Sequence, residues 1–112
     1  MNFGHTFGHA LEKSLGLSHG AAVSIGTVMA CQYAHFRGYL DAPGVERIQS
    51  LLASLNLPVR AEFDPKVVFE ALKKDKKRQA EKMHFVFLTR LGQAVVESVS
   101  VSDLGKWLKE NY

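Results

Sequence analysis

Cysteine is nearly missing: Cys31 stands alone among 112 residues. That excludes an intrachain disulfide and any metal knot built from cysteine alone, and it is compatible with a reducing, cytoplasmic setting. Proline is scarce too, 3 residues against 9 glycines, which excludes collagen-like and low-complexity chains. No apolar run reaches the roughly 20 residues needed to span a bilayer, so no membrane partner is expected. The opening Met1-Asn2-Phe3-Gly4-His5 has neither the basic start nor the apolar core of a secretory signal. There is little charge of one sign, since 14 Lys and Arg oppose 11 Asp and Glu for a formal excess of +3. Lys73-Lys74-Asp75-Lys76-Lys77-Arg78 carries five positive charges and one negative, leaving the remainder near neutral or slightly acidic, which argues for a local anion site rather than a nucleic-acid surface.

What is present fits one folded domain over residues 1–112, with 46% hydrophobic and 22% charged residues. Phe3 to Leu15 reads as a short helix, broken by Gly16-Leu17-Ser18-His19-Gly20 with Ser18 as a cap. Ala21 to Phe36 is dense in small side chains and reads as a buried central helix approached closely by its neighbours, ended by Gly38. After an Asp41-Ala42-Pro43-Gly44 turn, Val45, Ile48, Leu51, Leu52 and Leu55 repeat at helical spacing. Asp64 and Pro65 open a fourth helix, whose packing face is Val67, Val68, Phe69, Ala71 and Leu72. Met83 to Leu88 and Ala94 to Val99 are β-prone and predict an antiparallel hairpin. Ser102, or else Asp103, is expected to cap a last helix carrying Leu104, Trp107 and Leu108. The expected fold is mainly α: about five helices with one small late β-hairpin.

Three histidines within fifteen positions carry the chemistry. His5 and His9 share a helix face at i and i+4, and His19 follows on a second element. Imidazole is a ligand for divalent zinc or cobalt, and helices fix its direction, so metal or anion chemistry is one reading. The other is ordinary hydrogen-bonded histidine, the class in which His35 and His84 are placed. Glu12 reads as a solvent-facing or helix-pairing carboxylate. There is no His-Glu-x-x-His zinc-peptidase arrangement, because Thr6 follows His5. A closed structural zinc site takes four protein ligands, so three histidines need water, substrate or further protein. The Lys73–Arg78 stretch has its own plain reading, a solvated helix end whose cations offset the helix dipole.

Asn2-Phe3-Gly4-His5-Thr6-Phe7-Gly8-His9-Ala10-Leu11-Glu12, followed by Ser18-His19-Gly20-Ala21-Ala22-Val23, closely resembles the C-terminal domain of 3-dehydroquinate synthase. Asp75-Lys76-Lys77, the apolar strand at Phe85 to Leu88 and the Leu91-Gly92 turn continue the resemblance in order. The resemblance implies metal ligation by His5 and His19, and substrate or phosphate contacts from Asn2 and His9. It also brings a lysine to the substrate, Lys76 or Lys77, with His9 and Lys76 the implied catalytic residues. Members of this family convert 3-deoxy-D-arabino-heptulosonate 7-phosphate to 3-dehydroquinate and phosphate, within aromatic amino acid biosynthesis by the shikimate pathway. They use zinc or cobalt and a tightly held NAD.

The chain departs from the family pattern at Ala21, where a glutamate is usual, and in a short stretch between His9 and His19. No glycine-rich dinucleotide fingerprint follows a strand, so the N-terminal NAD-binding domain is expected to be absent from these residues. The expected protein is therefore a C-terminal domain or fragment, inactive alone, that meets an NAD-binding domain in cis or trans or forms a homodimer. Another sugar-phosphate cyclase and a non-catalytic metal-binding, anion-binding or interaction module are the alternatives.

Overall fold

The computed structural model describes residues 5–75, 82–90 and 93–112. The chain runs α1 (His5–Leu15), α2 (His19–Phe36), α3 (Ala42–Ser54), α4 (Pro65–Asp75), β1 (Lys82–Arg90), β2 (Gln93–Ser100) and α5 (Val101–Asn111). Among the described residues, the five helices and the one hairpin are those expected.

α2 lies at the centre because small residues let its neighbours close in. Ten of its residues are buried, among them Ala22, Ser24, Gly26, Ala30 and Ala34. A Cβ added to Gly8 would lie 3.4 Å from the Ala22 carbonyl oxygen and from the Val23 Cα, so α1 and α2 touch nearly backbone to backbone. Gly105 of α5 instead makes room for a side chain of α4: an added Cβ would come within 2.4 Å of the Phe69 ring. Ser24 is the one buried polar side chain among the described residues. Its hydroxyl donates to the Pro58 carbonyl at 2.5 Å and pins the 56–64 segment to α2.

Turn chemistry sets the helix ends. Ser18 accepts from the Ala21 amide and starts α2 at His19, two residues before the apolar run begins. Gly38, at φ +83°, closes α2 with Gly38 N–H bonded to His35 and Tyr39 N–H bonded to Ala34. Asn56 takes the same left-handed role after α3, at φ 62°. Pro43 belongs to the first turn of α3 rather than to a preceding loop, because Asp41 is the cap. The last helix is capped by Ser100 instead of Ser102 or Asp103. β2 runs directly into α5, so its final residue already accepts from the Asp103 amide.

The α3 stripe packs less than its spacing predicts. Ile48 is buried, whereas Leu51 and Leu55 are more than half exposed. Val67 of α4 is likewise half exposed, while Val68 and Leu72 are buried. The strands pair antiparallel from Lys82↔Ser100 to Leu88↔Ala94, with an irregularity before Arg90↔Gln93.

Candidate functional site

α1 and α2 form an antiparallel pair joined by the Gly16–Ser18 turn. Glu12 lies beside His19, and one turn earlier on α1 Gly8 lies against Ala22 and Val23, so the two helices run in opposite directions. Gly16, at φ +66°, makes the turn possible, and its amide closes on the Glu12 carbonyl at 3.0 Å.

His19, the first residue of α2, projects at this junction with 63% of its side chain exposed. Its Nδ1 lies 2.9 Å from Oε1 of Glu12, whose side chain is 31% exposed. A carboxylate offers only lone pairs, so the ring nitrogen facing it carries the hydrogen. That leaves Nε2 as the ring's basic nitrogen in neutral histidine. The first turn of α2 contains no acidic residue of its own. The Glu12 carboxylate brings negative charge to the positive end of that helix from the neighbouring one.

His9 sits on the same helix as Glu12, half-buried, one turn before it. His5 is the first residue of α1, two turns before Glu12, and its side chain lies outside the described residues, as does all of Asn2, Lys76 and Lys77. Among the described residues, no three His, Cys, Asp or Glu side chains gather as a metal cage. Lys73, on the last turns of α4, bonds Glu70 at 2.9 Å and lies over the Phe69 ring.

Two other groups are set apart by their surroundings. Cys31 is fully buried, and desolvation pushes its thiol up to about 12, which keeps it protonated and inert as ligand or nucleophile. His35 Nδ1 bonds the Leu40 carbonyl at 2.8 Å, an ordinary structural bond. His35 also lines an open cleft of about 640 Å³ with Gln32, Phe36, Trp107 and Tyr112. That cleft lies at the opposite end of α2 from His19 and is lined by none of the expected site residues. Residue spacing does not pair Glu12 with His19; their i to i+7 separation crosses a turn, and only an antiparallel helix pair brings them together.

Comparison with known proteins places this geometry in context. The 3-dehydroquinate synthase C-terminal model matches residues 1–78. The 3-dehydroquinate synthase of Thermoanaerobacter pseudethanolicus is 43% identical over 97% of this chain, and that of Coxiella burnetii 40% identical over 97%. The chain spans about a third of the length of these relatives, 32% in each case. Among solved structures, 2-epi-5-epi-valiolone synthase of Streptomyces hygroscopicus, with NAD+ and Zn2+ bound, superposes with a TM-score of 0.77 at 26% identity, covering 99% of this chain and 33% of that one. A 2-deoxy-scyllo-inosose synthase complexed with carbaglucose-6-phosphate, NAD+ and Co2+ gives 0.76 at 23%, covering 99% and 34%. Superposition over 99% of the chain makes this fold one it shares with both structures. The sequence match over 78 residues and the identity across nearly the whole chain agree on one conclusion: the chain belongs to the 3-dehydroquinate synthase C-terminal family.

Proposed function

We propose that this chain is the metal- and substrate-binding C-terminal part of a 3-dehydroquinate synthase, which eliminates phosphate from 3-deoxy-D-arabino-heptulosonate 7-phosphate and closes the ring to 3-dehydroquinate. The observation that carries the proposal is 43% identity with a 3-dehydroquinate synthase over 97% of the chain. In this reading His5 and His19 hold a zinc or cobalt ion. Asn2, His9, Lys76 and Lys77 bind the substrate, with His9 and Lys76 also catalytic. The chemistry of the donor set supports His19 in that role: an exposed imidazole whose Nδ1 is already engaged by a carboxylate presents a basic Nε2, the form in which histidine ligates. When bound, the divalent ion supplies Lewis-acid charge for the substrate's oxygens, and NAD supplies the reversible oxidation.

The chain's own residues then have limited, definite tasks. His9 holds phosphate oxygen and relays a proton, since an imidazole carries both a donor and an acceptor nitrogen. Lys76 or Lys77 contributes a point charge to the phosphate. The remaining metal ligand and the NAD site belong to an N-terminal domain, in cis or in trans, so the 112 residues alone release no phosphate. The lone buried thiol is compatible with work in the reducing cytoplasm.

The solved 2-deoxy-scyllo-inosose and 2-epi-5-epi-valiolone synthases share this fold, which favours a second reading as another sugar-phosphate cyclase. One reconstitution separates the two. The chain is mixed with the N-terminal two-thirds of the Thermoanaerobacter enzyme, NAD and Zn2+, and phosphate release is followed. Release from the heptulosonate phosphate, absent with either piece alone, is the expected result. Release only from a hexose phosphate favours the second reading, and turnover by the isolated chain overturns the division of labour.

A further inference from the structure

Glu12 and His19 sit on different helices and meet where the turn brings α1 back against the start of α2. The contact is 2.9 Å between Oε1 and Nδ1, although both side chains reach solvent. An exposed polar contact of this kind contributes little to folding, so stability gives little reason for it. Its consequence for the ring is larger. Histidine has two nitrogens, and the hydrogen bond made by one decides which nitrogen is left to act as a base. With a carboxylate on Nδ1, the neutral ring is held as the Nδ1–H tautomer at a fixed rotation. Carboxylates behind ligating histidines do this in metal centres and raise the ligand's basicity.

We infer that Glu12 is a positioning residue for His19 as a ligand of a divalent cation: its carboxylate fixes the Nδ1–H tautomer and ring orientation, so that Nε2 is the nitrogen offered to the ion. This rests on the reading of His19 as a metal ligand. The first turn of α2 has Ala21 and no acidic residue, so the orienting charge comes across from α1. Glu12 therefore acts on the ion only through His19. Its substitution weakens metal binding without removing a ligand.

The test uses the whole 112-residue chain, Co2+ as the probe, and Glu12→Ala, Glu12→Gln and His19→Ala variants. Nitrogen-15 NMR of the metal-free chain reads the His19 tautomer, and calorimetry with cobalt absorption reads affinity. The expected results are an Nδ1–H His19 in the parent and loss of that tautomer in Glu12→Ala, with Co2+ affinity about 10–100-fold lower. Glu12→Gln keeps an accepting oxygen, so it should restore the tautomer and most of the affinity. Unchanged tautomer and affinity in Glu12→Ala, with binding still lost in His19→Ala, would overturn the inference and leave His19 a ligand. Undiminished binding in His19→Ala would overturn the ligand reading and this inference together. A purely structural pair would lower the melting temperature and move neither the tautomer nor the affinity.

Discussion

The two ends of α2 are built differently. At its C-terminal end, Tyr33 is fully buried and its ring lies 4.9 Å from that of Trp107, which also meets Phe7 at 6.1 Å and Tyr112 at 5.7 Å. At its N-terminal end, Ser18, His19 and Gly20 are exposed, and beyond the close approach of Gly8 to Ala22 the joins are a cap and a surface hydrogen bond. One end holds the helices together by apolar burial, which has no preferred chemistry. The other is held by polar contacts that contribute little to folding and can be arranged around a ligand. The fold's stability and its candidate chemistry are thus separated along a single helix about 26 Å long.

The sharpest way to break that contrast is Trp107→Ala. Trp107 is 4% exposed and joins α5 to α1 and α2. Truncating such a side chain costs about 3–5 kcal/mol, a large share of a small domain's stability. Denaturant unfolding should show the loss, with Co2+ binding unchanged in the fraction that remains folded. An equal loss of metal binding under folding conditions would mean that the two ends are coupled.

Gly105→Ala comes next. Alanine gains about 1 kcal/mol over glycine in a helix interior, but overpacking costs about 1–3 kcal/mol. The Phe69 ring stands 2.4–2.8 Å from where the new Cβ would go, so the second effect should win. Adding Phe69→Leu should recover the loss in a double-mutant cycle. A stabilising Gly105→Ala alone would show that the ring moves aside freely.

Most of this architecture was legible in the chain because each signal is local. Asp64-Pro65 does start α4, with Asp64 accepting from the Lys66 amide at 2.9 Å, and Gly38 does end α2. Ser102 failed as the α5 cap because cap preferences presume a loop before the helix, and β2 leaves none. Leu51 and Leu55 kept a helical rhythm yet stayed exposed, since periodicity fixes a face but not what covers it. For the site, His5, His9 and His19 stood out by residue type and spacing. The partnership of Glu12 with His19 depended on how two helices cross and was out of reach. The places of Asn2, Lys76 and Lys77 lie outside the described residues, and their roles stay as proposed.

A pH titration sharpens the buried side of the comparison. Burial raises the Cys31 thiol from 9.0 to about 12, so the folded chain keeps the proton that the unfolded chain releases above pH 9. The unfolded state then binds fewer protons, and stability falls as pH rises from about 9 toward 12. At pH 10 the loss from this thiol should be about 1 kcal/mol, since a tenfold change in proton affinity is worth about 1.4 kcal/mol. Unfolding curves at pH 8 and 10 for the parent and Cys31→Ala isolate the thiol; equal pH slopes in both would refute its contribution.

The smallest effect is expected at the other end of the helix. Ser18 Oγ accepts from the Ala21 amide at 3.3 Å in the open, and caps of this kind contribute about 0.5–2 kcal/mol. Length and exposure put Ser18→Ala at the low end of that range. Glu12 serves the same helix start through charge, and Ser18 through its hydrogen bond to the Ala21 amide. Their effects on cobalt affinity should diverge, because the Ser18 hydroxyl engages the backbone while the Glu12 carboxylate engages the His19 ring. A cap mutant that loosens cobalt as much as the carboxylate mutant would mean that the helix end, rather than the imidazole tautomer, governs binding.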